Sequence, residues 1–135
     1  MKKIFIAVDT TDLRKAKRII AKSKTKKIQI GYKFGLEFMN SKRGRHFVSK
    51  LRNKIIFVDL KLNDTVNTML SAVKALKDLK INYLTVHISS GLAALKAVKK
   101  ISRCKIVGVS TLTSLNNKDL KTVGYNRSVK NLVSH

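Results

Sequence analysis

The 135-residue chain has no proline, no tryptophan, one cysteine, six glycines and only seven acidic residues. So little Gly and Pro excludes a collagen-like repeat, and no Pro/Gly/Ser-rich stretch marks a boundary between domains. A single cysteine, Cys104, excludes an intrachain disulfide and falls two short of even the simplest zinc knuckle. No apolar run approaches the roughly 20 residues that span a bilayer. The stretch Ile4–Val8 is too short for a secretion signal and meets an acid at Asp9. These absences predict a cytoplasmic protein without a membrane segment. What remains is 44% hydrophobic and 27% charged, the composition of one folded domain, residues 1–135, with one modest core.

The shortage of acids leaves a net charge of +23. Such an excess raises the possibility of a polyanionic partner, and a small basic α/β module that binds nucleic acid is one reading. Of the 30 basic residues, however, only seven are Arg, the residue whose fork reads phosphates and base edges. The lysines are spread over every predicted helix instead of forming one stripe. With the many Ile and Asn, that pattern fits AT-rich coding, and nucleic acid is not the expected partner. The same field steers small anionic substrates.

Five β-branched or aromatic runs recur, at Lys3–Val8, Lys27–Lys33, Lys54–Leu60, Asn82–His87 and Lys105–Ser110. Their first strongly apolar residues, Ile4, Ile28, Ile55, Tyr83 and Ile106, are 24, 27, 28 and 23 residues apart. Between them lie helical stripes: Leu13, Ala16 and Ile20; Val66, Met69, Leu70, Val73 and Leu76; Leu92, Leu95 and Val98. This alternation predicts an α/β fold with parallel strands and outer helices, and Ile55-Ile56-Phe57-Val58 fits a strand covered on both faces. Five βα units suit either an open sheet or the front part of a (β/α)8 barrel, which takes about 250 residues. The last residues, Leu132-Val133-Ser134-His135, read as part of a helix.

The few acids are placed informatively. Asp9 closes the first run and Asp59 the third; Lys61 follows at i+2, and Asp64 opens the next helix. Strand alternation puts Asp59 and Lys61 on one face, with Val58 and Leu60 on the other. Lys33 and His87 stand at the same ends of the second and fourth strands. In βα proteins ligands bind at those carboxyl ends. Lys33, Asp59, Lys61 and Asp64 are therefore expected to converge at one mouth, each charge offsetting its neighbours. A structural ion-pair network with Asp64 as a helix N-cap accounts for the same spacing.

The segment Asp59-Leu60-Lys61-Leu62-Asn63-Asp64-Thr65-Val66-Asn67-Thr68 closely resembles the D-L-K-x-x-D-I-P-N-T signature of the orotidine 5′-phosphate decarboxylase family. Ile6-Ala7-Val8-Asp9, Lys33-Phe34-Gly35-Leu36-Glu37, Val86-His87 with Gly91, and Ser110–Leu115 with Asp119-Leu120 and Gly124 resemble further family segments, in order and spacing. Sister enzymes, the 3-keto-gulonate phosphate decarboxylases and hexulose phosphate synthases, share D-x-K-x-x-D and use Mg²⁺. They resemble the chain less, because Asn67-Thr68 and Leu112-Thr113-Ser114 belong to the orotidylate branch.

The resemblance implies the amino-terminal five units of a TIM barrel that decarboxylates orotidine 5′-phosphate to UMP, a step of pyrimidine biosynthesis, with no cofactor and no metal. Lys61 would protonate the C6 carbanion, held between Asp59 and Asp64. Asp59 would lie against the departing carboxylate. Lys33 would bond Asp59 and the ribose, and Asp9 a ribose hydroxyl. Asp64 and Thr68 would reach the site of a partner subunit, implying a homodimer; Thr65 lies in the same segment. Thr113 or Ser114 would sit near the pyrimidine. Thr65-Val66 departs from the family's I-P, and Asn63 replaces a frequent His. The family's phosphate-binding loops follow the sixth to eighth strands, so five units alone are expected to turn over poorly or not at all and, with bare strand edges, to self-associate or dissolve poorly. His46 is expected at the surface, His87 and Cys104 as structural groups, and Tyr32 and Tyr83 in strand cores.

Overall fold

Each of the five apolar runs becomes a strand, and each gap between them holds at least one helix. The computed structural model describes residues 3–25 and 27–134; His135, at the end of the expected last helix, lies outside them. The order is β1 (Lys3–Ala7), α1 (Leu13–Lys22), β2 (Gln29–Gly35), α2 (Leu36–Asn40), α3 (Gly44–Lys50), β3 (Ile55–Leu62), α4 (Val66–Ala75), β4 (Tyr83–His87), α5 (Leu92–Ile101), β5 (Lys105–Val109), α6 (Asn117–Thr122) and α7 (Val129–Ser134). All strand pairs are parallel and neighbours in sequence are neighbours in space, β1-β2-β3-β4-β5. Among the described residues β1 and β5 are edges, so the five units form an open sheet.

Alternation along the strands divides the sheet into two unlike faces. One face carries Val8, Tyr32, Phe34, Ile56, Val58, Leu84 and Val86, all buried. They form one core with Ala16, Ile20, Phe38, Val48, Met69, Val73, Ala94 and Val98 from the covering helices. Full burial of each large apolar side chain contributes about 1.5–3 kcal/mol before entropy is counted. The opposite face holds Phe5, Phe57 and Tyr83, half-buried, in edge-to-face contact; Phe5 lies 5.1 Å from each of the other two rings. Glycine at 31 makes room for this cluster, since a Cβ there would stand 2.5 Å from the Phe5 ring.

The helical stripes are buried along most of their length, except in the first turns of α4 and α5. Met69, Val73 and Leu76 are buried, whereas Val66 at the start of α4 is exposed and Leu92 at the start of α5 is 66% exposed. Those first-turn residues do not reach the core. Two strands run beyond the ends expected from the sequence. β2 continues past Lys33 to Gly35, and β3 past Leu60 through Lys61 to Leu62. The reason is an irregularity. Val58 pairs with Leu84 and Leu62 with Val86, so four steps along β3 match two along β4. That bulge falls on Asp59, Leu60 and Lys61.

Candidate active site

Bulges bend a strand and re-aim its side chains, and this one does so at the carboxyl end of the sheet. Lys61 takes a left-handed backbone, φ 47°, unusual for a residue with a Cβ. Its backbone N–H donates to the Thr85 hydroxyl at 2.7 Å. Its side chain turns back so that Nζ lies 2.9 Å from Asp59 Oδ2. From β2, Lys33 Nζ reaches the same oxygen at 3.1 Å. The other carboxylate oxygen, Oδ1, accepts from Thr85 Oγ1 at 2.9 Å.

One carboxylate therefore serves two ammonium groups and a hydroxyl. The Asp59 side chain is 8% exposed, against 32% for Lys33 and 36% for Lys61. Burial pushes the Asp59 carboxyl up, but the hydrogen bonds from Lys61, Thr85 and Lys33, with the Lys61 charge, outweigh it. The net result is a carboxyl held below its ordinary value, ionised beside two cations whose outer sides face solvent. Such a site holds an ammonium proton next to a fixed anion at the open end of a sheet, which suits proton delivery to a carbanion.

The other expected site residues are not drawn into this trio. Asp64 is exposed and accepts from the Thr65 N–H at 2.7 Å. It is not the N-cap of α4; Thr65 occupies that position and makes no side-chain capping bond. The Thr65 hydroxyl lies 3.1 Å from that of Thr68, and both residues are exposed. Asp9 is exposed just past β1, next to Val8, whose N–H donates to the Lys33 carbonyl at 2.8 Å. Thr113 and Ser114 are exposed in the loop after β5. His87 ends β4, half-buried, and His46 is exposed on α3. Cys104 Sγ lies 3.1 Å from Ser102 Oγ. Tyr32 is a core residue, while Tyr83 takes a hydrogen bond from Lys3 Nζ on the open face.

Thr85 is the residue that reading the sequence missed. It is 4% exposed and one of two buried polar or charged residues among those described, the other being Asp59. A polar residue between Leu84 and Val86 in a strand otherwise suited to a core was the available signal. A cleft of about 730 Å³ between α1 and α3, lined by Leu13, Ile20, Phe47, Lys17 and Lys50, lies on the helix side of the sheet. It shares no residue with the Lys33–Asp59–Lys61 trio.

The family model described as "Orotidine 5'-phosphate decarboxylase / HUMPS family" matches residues 2–135. The chain belongs to this family. It is 40% identical over 139 aligned positions to an orotidine 5′-phosphate decarboxylase of Wolbachia sp. subsp. Brugia malayi, a match covering 98% of the chain and 60% of that relative. The crystal structure of orotidine 5′-phosphate decarboxylase from Lactobacillus acidophilus superposes with a TM-score of 0.83 at 26% identity, covering 98% of the chain and 64% of that protein. The Methanocaldococcus jannaschii orotidine 5′-monophosphate decarboxylase, solved with the inhibitor BMP, gives 0.70 at 25% identity over 82% of the chain and 52% of that protein. The chain thus spans 52–64% of the length of these family members, a share in keeping with five of the eight units of a closed barrel.

Proposed function

We propose that the chain decarboxylates orotidine 5′-phosphate to UMP and that Lys61 supplies the proton. The observation that carries this reading is the convergence of Lys33 and Lys61 on Asp59 Oδ2, at 3.1 and 2.9 Å, with Asp59 and Lys61 inside the segment that resembles the family signature. In the reaction the bond from pyrimidine C6 to the carboxyl carbon breaks and CO2 departs. The electron pair stays at C6, and Lys61 Nζ donates a proton there; solvent then restores the ammonium. The pyrimidine takes up the developing charge, so the step calls on no metal or organic cofactor. Asp59 lies against the departing carboxylate and keeps both cations in place. Lys33 bonds Asp59 and the ribose, and Asp9 a ribose hydroxyl. Thr113 or Ser114 borders the pyrimidine, and Thr65 contributes to substrate binding from the segment after β3.

The exposed positions of Asp64 and Thr68, whose side-chain hydrogen bonds go to Thr65 and not to the trio, fit a homodimer in which they reach the partner's site. Among the described residues no helix is long and apolar enough to cross a membrane, and the proposed setting is the cytoplasm, where pyrimidine nucleotides are made. Phosphate contributes binding energy remote from the reacting carbon, and the resemblance places its loops beyond the fifth strand, so slow turnover is expected of these five units. The test is the loss of orotidylate absorbance on incubation with the chain. It should be measurable with the wild type and absent with Lys61→Ala. Equal rates for the two would overturn the assignment of Lys61.

A further inference from the structure

We propose that Thr85 is a positioning residue, whose hydroxyl closes the β3 bulge behind Lys61 and at the same time fixes the carboxylate of Asp59. The catalytic consequence rests on the decarboxylase reading; the positioning rests on geometry alone. A parallel ladder gives each strand N–H a carbonyl acceptor on its neighbour. The bulge takes Lys61 out of that register, because four steps of β3 match two of β4. Its N–H finds the Thr85 hydroxyl instead, at 2.7 Å. An amide partly withdrawn from solvent needs a partner, and the hydroxyl acts here as the missing acceptor.

That donation settles where the hydroxyl's own proton goes. The oxygen is accepting from Lys61, and its proton is directed to Asp59 Oδ1 at 2.9 Å. Oδ2 is taken by Lys33 from β2 and Lys61 from β3, so Thr85 is what restrains rotation of the carboxylate. Those two lysines are the charged groups bonded to Asp59, and His87 lies beyond Thr85 at the end of β4. A non-glycine residue in the left-handed region persists only where its surroundings over-determine it. Here the backbone bond to Thr85 and the side-chain bond to Asp59 pull Lys61 from both ends. One hydroxyl, carried on a neighbouring strand, thereby links the backbone of the proton donor to the anion that holds its ammonium.

The experiment compares Thr85→Val, which keeps the shape and removes the hydroxyl, with Thr85→Ser, which keeps the hydroxyl. Two readouts do not depend on turnover: the NMR titration of the Asp59 side-chain carboxyl, and hydrogen exchange at the Lys61 amide. In Thr85→Val the Asp59 midpoint should rise and Lys61 exchange should quicken about tenfold or more, while Thr85→Ser stays near wild type. On orotidine 5′-phosphate, Thr85→Val should lower kcat about tenfold or more with a smaller change in KM. Should Thr85→Val not fold, Thr85→Cys serves in its place. An unmoved Asp59 midpoint with a protected Lys61 amide overturns the proposal, as does full kcat in Thr85→Val. If the wild type shows no turnover but the two NMR readouts move as stated, the positioning stands and the decarboxylase reading fails.

Discussion

Replacing Asp59 by Asn tests whether the site is held together by charge or by shape. The amide has nearly the same outline, so packing changes little, but both ion pairs vanish. Lys33 Nζ and Lys61 Nζ lie 3.1 and 2.9 Å from a common carboxylate oxygen, and the substitution removes both attractions. Both lysine side chains are about a third exposed, so after solvent screening the two ion pairs together contribute about 1 kcal/mol. Exchanging the charged hydrogen bond from Thr85 for a neutral one costs about 1 kcal/mol more. The expected loss is about 2 kcal/mol, or roughly 8 °C in melting temperature for a domain of this size. The pH dependence carries a sign. The Asp59 carboxyl is lowered in the folded state, so its contribution is full above the unfolded value near 3.8 and is lost as pH falls through the folded value below it. Melting curves of wild type and Asp59→Asn should therefore be well separated at pH 7 and draw together below pH 3.8. A variant that melts within 2 °C of wild type at pH 7, or a gap that persists unchanged at low pH, would refute this account.

Two further outcomes follow from the backbone. Gly31→Ala should destabilise by about 1–3 kcal/mol, because its Cβ would meet the Phe5 ring at 2.5 Å; urea midpoints for Gly31→Ala and for Gly31→Ala with Phe5→Leu should show partial recovery in the pair. Val66→Pro should stabilise by about 0.5–1 kcal/mol in the same assay, because residue 66 is the first of α4 and Thr65 before it is already extended, φ −59° and ψ 155°. A lowered midpoint in that variant would show that the Val66 N–H is needed.

Much of the architecture could be read from residue order. Strands show as short β-branched runs, and their period, near 25 residues, leaves room for at least one covering helix each time. The stripe of Met69, Val73 and Leu76 identifies the buried side of α4 because helical spacing alone sets it. The charged site was only partly legible. That Lys33, Asp59 and Lys61 share one end of the sheet follows from strand direction, but their meeting at one oxygen depends on a bulge. A bulge is a mismatch between two strands, and neither Asp59–Leu62 nor Leu84–Val86 carries it alone. Asp64 shows the converse. Its place after a strand suggests capping, yet the chain turns one residue later, at Thr65, and leaves the carboxylate to solvent. The helix α2 also escaped, because a five-residue helix such as Leu36–Asn40 is too short to display a period.

The strict sequential order of the strands has a kinetic side. Every strand pairs with the one made just before it, so each loop to be closed is only about one βα unit long, and closure entropy stays small and nearly constant as the chain grows. Assembly can advance by accretion, each new hairpin-sized unit docking on a finished edge. During synthesis on the ribosome, β1 to β4 and the Asp59–Thr85 bond could thus form before β5 emerges, leaving the anionic anchor of the site in place early.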